Sequence, residues 1–133
     1  MKSYYEMMGG EPAVWKLVEA FYPKVLEHPL LAPIFPKDIR PVMEKQFQFL
    51  TQFFGGPHLY TQVYGQPMMR ARHLPFPITP ERADAWLECM GEAVEEVVES
   101  PDLRAAIMQR LRGPAYHFVN TYEEEEAVQG NES

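Results

Sequence analysis

His73 is the residue of this sequence whose surroundings most suggest chemistry. It lies in the stretch RARHLPFPI, between two arginines and an apolar, proline-rich run. Pro67 can open a short helix before it, and Pro75 and Pro77 prevent that helix from continuing. We therefore expect His73 at the end of a short helix, with its imidazole held against apolar surroundings. A histidine in such a place is more often a structural hydrogen-bonding group than a metal ligand.

Three polar side chains occupy the apolar faces of three different predicted helices. These are Tyr22, Gln46 and Trp86, and each of them can donate a hydrogen bond. A buried donor without a partner costs about 1–3 kcal/mol, so three such groups could converge on one polar ligand in an apolar pocket. Taken singly, each is more often a core residue whose polar tip is satisfied by the protein.

Cationic residues near these positions suggest what such a ligand would be. Arg70 and Arg72 flank His73, and Lys45 precedes Gln46 on its helix. Cations at the rim of an apolar slot suit a flat apolar ligand with carboxylate ends, such as a porphyrin, whose iron accepts an axial imidazole. Ordinary solvated charge is the alternative for any one of these three cations.

Composition excludes several other classes of protein. The formal net charge of −7 over 133 residues argues against a nucleic-acid or anionic-membrane surface. There is no glycine-rich phosphate loop, no HExxH motif and no pair of cysteines for zinc. A single cysteine, Cys89, excludes an intrachain disulfide, and no run approaches the ~20 apolar residues of a membrane span. We therefore expect a cytoplasmic protein.

The prolines predict an all-α protein. Five of them stand just before apolar-periodic runs, where proline is favoured as the first helical residue. Four substantial helices are expected, over 12–27, 41–54, from 80 and from 101, with a bend or break at Pro23 and irregular chain over 57–66. We expect one domain over 1–121, followed by an acidic, solvated and disordered tail over 122–133.

Several longer motifs resemble those of a known family. The chain is similar over about residues 3–120 to the group II truncated haemoglobins, the branch typified by bacterial O-type proteins. The motifs that carry the resemblance are Phe21-Tyr22, HPLLAPIFP (28–36), QFLTQFFGGPHLYT (48–61), GQPMMRARHLPFPIT (65–79) and ADAWLECM (83–90). It implies a two-over-two α-helical sandwich that encloses haem b.

The resemblance also implies roles for individual residues. His73 matches the proximal ligand of a penta-coordinate iron, and Tyr22, Gln46 and Trp86 match positions on the distal side. Val42 stands where other globins place the distal histidine, so it would open or gate the pocket, and Pro23 would shift the aim of Tyr22. The residues expected to contact the haem or its propionates are Lys45, Tyr60, Arg72, Phe35, Val42, Met69 and Phe49.

Three functions are compatible with these residues. The first is reversible binding of oxygen and other diatomic gases, for carriage, storage or sensing. The second is peroxide reduction or nitric oxide dioxygenation, which would need an external reductase because the chain has no flavin or nicotinamide domain. The third is a haem-free helical interaction module, which predicts a colourless protein. A monomer and a homodimer are both compatible with the sequence.

Overall fold

Helices account for the regular structure of the described residues. The computed structural model describes residues 2–65, 68 and 76–121, and within these ranges it contains α-helices, one short 3-10 turn and no strand. The α-helices are α1 (Tyr4–Met8), α2 (Glu11–Glu27), α3 (Arg40–Phe53), α4 (Leu59–Tyr64), α5 (Pro80–Val97) and α6 (Pro101–His117), and the 3-10 turn is Ala32–Ile34. The all-α prediction is therefore confirmed. His73, Arg70, Arg72, Met69 and the predicted tail lie outside the described residues.

The two C-terminal helices begin with the same device. The Thr79 hydroxyl accepts a hydrogen bond from the backbone N–H of Arg82 at 3.1 Å, and Pro80 follows as the first helical residue. The Ser100 hydroxyl accepts from the N–H of Leu103 at 3.2 Å, and a proline again follows. Both caps satisfy an amide that the helix itself leaves unpaired. The two predicted helix starts are confirmed.

The long helices form two packed pairs. Helix α2 packs on α3, α5 packs on α6, and contacts between α2 and α5 join the two pairs. The apolar stripe of α2 supplies the centre of the core, with Leu17, Phe21 and Val25 fully buried. Met90 of α5 and Ile107 of α6 are also fully buried. This arrangement leaves room beside α3 for the cavity described below.

Two local predictions differ from the structure. Helix α2 continues through Pro23 to Glu27, so of the two outcomes predicted there, a bend or a break, the break is absent. The segment predicted as irregular contains α4, because a side chain of α3 holds its first turn. The Gln52 amide donates to the Thr61 hydroxyl at 2.8 Å and its carbonyl accepts from the Thr61 N–H at 3.0 Å. A six-residue helix is too short for its periodicity to be recognised in the sequence.

Candidate functional site

A largely apolar cavity lies between the two helix pairs. Its volume is about 150 Å³. The lining residues come from α2, the 28–35 connection, α3, α5 and α6, and include Leu31, Phe35, Val42, Phe49 and Phe118. Aromatic and aliphatic groups from separate helices thus form the walls of one site.

Tyr22 brings a hydroxyl into this apolar wall. Its side chain is only 2 % exposed, and its ring contacts those of Phe21 and Phe35 edge-on, with centroids 4.9 and 6.1 Å away. Burial raises the pKa of the Tyr22 phenol, so the group remains a neutral donor. None of the described residues forms a hydrogen bond with the Tyr22 hydroxyl. A buried hydroxyl in that condition suits a polar ligand in the cavity.

Trp86 and Gln46 line the same cavity from two other helices. Trp86 lies nearly two turns into α5, and its indole packs edge-on against Phe21 with centroids 5.3 Å apart. Gln46 lies on α3, one turn after Val42. Within the part of the chain that the structure describes, neither side chain forms a hydrogen bond. The structure therefore brings the three sequence-predicted donors to one cavity, each with its polar group available.

The residues predicted to contact haem fall into three groups. Phe35, Val42 and Phe49 line the cavity. Tyr60 is 2 % exposed and packs edge-on against Phe49 with centroids 5.8 Å apart, so it lies behind the wall. Lys45 is on the surface, with its ammonium 5.3 Å from the centre of the Tyr64 ring. The predictions on His73, Arg72 and Met69 fall outside the described residues.

Two residues that the sequence analysis did not single out form hydrogen bonds to the backbone beside the cavity. We call residues 76–78 the exit segment, because they lead from the stretch that contains His73 into α5. Asn120 bonds to the backbone of the exit segment at both Phe76 and Ile78. Arg82 bonds to the carbonyl of Pro77. No sequence signal identifies Asn120, since its partners are 42 and 44 residues away along the chain.

The donor set fits haem better than a metal bound by protein groups alone. No cluster of three or more His, Cys, Asp or Glu side chains suited to a metal occurs among the described residues. An iron porphyrin needs only one axial protein ligand, an apolar slot and nearby donors. The cavity supplies the slot through its aromatic walls, and Tyr22, Gln46 and Trp86 supply donors.

Comparison with known proteins decides the family. Residues 3–120 match the family model described as bacterial-like globin. The chain belongs to this globin family. It is 53 % identical to the group 2 truncated haemoglobin YjbI of Bacillus subtilis over 117 residues, which cover 88 % of this chain and 89 % of the relative.

Solved structures agree with the family. The group II truncated haemoglobin of Bacillus anthracis superposes with a TM-score of 0.89 at 49 % identity, covering 93 % of this chain and 95 % of that one. A structure described as a truncated oxygen-avid haemoglobin from Bacillus subtilis gives a TM-score of 0.84 at 52 % identity, covering 90 % of this chain and all of that one.

These likenesses confirm three of the predictions from the globin's sequence. The resemblance to group II truncated haemoglobins is confirmed, and with it the two-over-two fold and haem b as the cofactor. The globin therefore binds diatomic gas through its haem. Among its described helices, none is both long and apolar enough to cross a membrane.

Proposed function

We propose that this globin binds oxygen reversibly and releases it slowly, for carriage, storage or sensing, with Tyr22, Trp86 and Gln46 as the donors that retain the ligand. Haem supplies, when bound, an iron that takes up oxygen. The observation that carries the proposal is the convergence of three donors from three helices on one apolar cavity, without partners among the described residues.

The cavity makes these donors effective. Its walls are mainly aliphatic and aromatic, so a hydrogen bond formed inside it competes with little water. Tyr22 is held in place by ring contacts to Phe21 and Phe35, and Trp86 by its contact to Phe21. Donors that are already oriented stabilise negative charge on a ligand without reorganising. Slow release follows, because a departing ligand must break bonds that water does not replace.

His73 is the residue that we assign as the protein ligand of the iron. The other three histidines are His28, His58 and His117, and none of them lines the cavity. His58 and His117 are exposed, and the Nδ1 of His28 accepts a hydrogen bond from the N–H of Leu30 at 3.2 Å. His73 is left as the histidine whose environment in the sequence suits an axial ligand, with the iron penta-coordinate before gas binds.

The relatives support tight binding of oxygen. The Bacillus subtilis structure, 52 % identical to this chain, is described as that of an oxygen-avid truncated haemoglobin. The same oxygen avidity in this globin would fit a cavity with three available donors. We also propose that Val42, Phe49 and Phe35 form apolar contacts with the haem, because all three line the cavity.

The test is the rate of oxygen dissociation, measured by stopped flow on the holoprotein. Tyr22→Phe and Trp86→Phe should each accelerate release. The chain offers matched controls, since Tyr116 and Trp15 are both exposed and lie outside the cavity. Tyr116→Phe and Trp15→Phe should leave the rate unchanged. Unchanged release in both cavity variants would contradict the proposed role of the donors.

The same holoprotein distinguishes the enzyme hypothesis. Polar donors around the cavity would also suit peroxide, so steady-state peroxide turnover should be measured with and without a reductant. Rapid turnover that is lost in Tyr22→Phe, with oxygen release unaffected, would favour a haem enzyme over an oxygen binder. We expect slow turnover and altered oxygen release.

A further inference from the structure

A second recess lies between α2 and α3, and it shares no lining residue with the cavity. We call it the α2–α3 groove. It is open to solvent and has a volume of about 750 Å³, which is enough to admit side chains of another molecule. Half of its lining residues come from the first half of α2 and half from α3, and they are Glu11, Pro12, Trp15, Glu44, Phe47 and Gln48. Gas binding leaves all six without a role.

The α2–α3 groove and the cavity lie on opposite faces of α3. Val42 and Gln46 line the cavity, whereas Glu44, which stands between them in the sequence, lines the groove. An α-helix turns by about 100° per residue, so Glu44 lies about 200° around the helix axis from each of them. A molecule in the groove would therefore contact α3 without entering the gas-binding site.

An aromatic pair forms the apolar part of the α2–α3 groove. The rings of Trp15 and Phe47 meet edge-on with centroids 4.9 Å apart, and Phe47 also packs against the core. Trp15 nevertheless remains 37 % exposed. Tryptophan is enriched among the side chains that dominate protein interfaces. An indole that a second ring already holds in place loses little further freedom when a partner binds, so it is suited to such a contact.

Two carboxylates add negative charge to the α2–α3 groove. Glu11, in the first turn of α2, and Glu44, on α3, are both exposed and both line it. Neither forms an ion pair with any residue that the structure describes. Lys16 follows Trp15 in the sequence but does not line the groove. The groove therefore combines an exposed aromatic ring with two carboxylates that have no cationic partner in the described ranges.

The cations nearest to Glu44 along α3 have other partners. The ammonium of Lys45 lies 5.3 Å from the centre of the Tyr64 ring. The guanidinium of Arg40, one turn before Glu44, forms an ion pair with Asp38 at 3.3 Å. The negative charge of Glu44 is thus not offset by its own helix.

We propose that the α2–α3 groove is a docking surface for a basic segment of a partner protein. An arginine or lysine side chain of that segment packs against the Trp15 indole, and its charge pairs with Glu11 and Glu44. The face of an indole attracts a cation, and neighbouring carboxylates strengthen that attraction. The same carboxylates, on a chain of net charge −7, repel nucleic acid and anionic lipid. The charges therefore favour a protein as the occupant.

The experiment is an NMR titration of the isotopically labelled, ferrous, carbon monoxide-bound holoprotein with a synthetic peptide of alternating arginine and glycine. The chain has two tryptophans, so one indole N–H signal reports on the groove, through Trp15, and the other on the cavity, through Trp86. The Trp15 signal should shift and saturate, and the Trp86 signal should stay in place. A peptide with neutral citrulline in place of arginine should bind about tenfold more weakly. Equal binding of the two peptides, or an unmoved Trp15 signal, would overturn the proposal.

Glu11 has a matched control in Glu81. Both are exposed and lie in the first turn of a long helix, but Glu81 belongs to α5 and does not line the groove. Glu11→Gln and Glu44→Gln should each weaken binding of the arginine peptide about threefold. Glu81→Gln, with the same change in net charge, should leave the affinity as it was. Equal weakening by Glu81→Gln would reveal a general attraction to an acidic chain and would contradict the proposal.

Trp15→Leu tests the aromatic part of the groove and the alternative occupant, a second copy of this chain. Affinity for the arginine peptide, followed at the backbone amide of Phe47, should fall about threefold. The Soret band shows whether the variant has folded around haem, and the glutamate variants decide the question if it has not. Analytical ultracentrifugation then compares this variant with the unaltered holoprotein. Equal sedimentation supports the proposal, whereas a dimer that is lost in Trp15→Leu would place a second copy in the groove and overturn it.

Discussion

Polar side chains at the cavity wall and at the start of α5 differ in their hydrogen bonding. In the cavity, the donors of Tyr22 and Trp86 find no hydrogen-bonding partner within the described ranges. At what we call the α5 corner, formed by Thr79, Arg82 and Asn120, each side chain bonds to backbone. Unpaired buried donors weaken a fold and satisfied ones support it. The cavity wall is therefore arranged for a ligand, and the corner for the frame around it.

Tyr22→Phe should give the largest effect. It should change the rate of oxygen release without lowering the stability of the fold. Loss of a donor to a charged ligand should accelerate oxygen release about tenfold to a hundredfold. The haem-free chain should be about as stable as before, because the Tyr22 hydroxyl lines the cavity and bonds to none of the described residues. Stopped flow and urea unfolding measure the two effects. If Tyr22→Phe instead lowers the free energy of unfolding, the cavity hydroxyl also stabilises the fold of the haem-free chain.

Thr79→Ala should show the reverse behaviour at the α5 corner. The Thr79 hydroxyl caps α5 and is buried, so its loss should lower the free energy of unfolding by about 1 kcal/mol. Oxygen release should remain unchanged, since Thr79 does not line the cavity. Urea unfolding of the holoprotein measures the loss. Ser100→Ala, which removes the equivalent cap from α6, is the control and should cost a similar amount.

The difference between these regions also explains what the sequence could predict. Tyr22, Gln46 and Trp86 were recognisable because a polar residue on an apolar helical face stands out in a periodic pattern. The caps Thr79 and Ser100 were recognisable because a cap and its helix are adjacent in sequence. The long helices, the fold and haem b were predicted on these grounds and from the family motifs, and the globin relatives confirm them.

The bonds that Arg82 and Asn120 form at the α5 corner could not be predicted, for the opposite reason. Arg82 reaches back 52 residues to Leu30, and Asn120 reaches back 44 residues to Phe76. Such bonds depend on how the helices pack, and the local pattern of the sequence carries no trace of them. Helix α4 was missed on similar grounds, because it is held by Gln52 of α3 and by the burial of Tyr60. The site residues at 69–73 stay predictions.

Gln46→Leu should accelerate oxygen release less than Tyr22→Phe does. Gln46 is half-buried, so the hydrogen bond that it offers competes with water more than that of Tyr22. We expect oxygen release to accelerate about threefold, which corresponds to a weak net hydrogen bond. Gln109→Leu, an exposed position on α6, is the control and should have no effect. Release faster than that of Tyr22→Phe would make Gln46 the principal donor instead.

The smallest effect that we predict is an alkaline loss of stability that comes from Tyr22. Burial raises the pKa of its phenol above the ordinary value of 10.0, so the folded chain retains a proton that the unfolded chain releases. The unfolded state then binds fewer protons, and the free energy of unfolding must fall as the pH rises above that value. The loss should be about 0.4 kcal/mol at pH 10 and should grow beyond it.

Urea unfolding of the haem-free protein at pH 8 and pH 10, with and without Tyr22→Phe, measures this loss of stability as a difference of differences. An identical pH dependence in the two proteins would show that solvent reaches the phenol in the folded chain, and the contrast between the cavity wall and the α5 corner would then weaken.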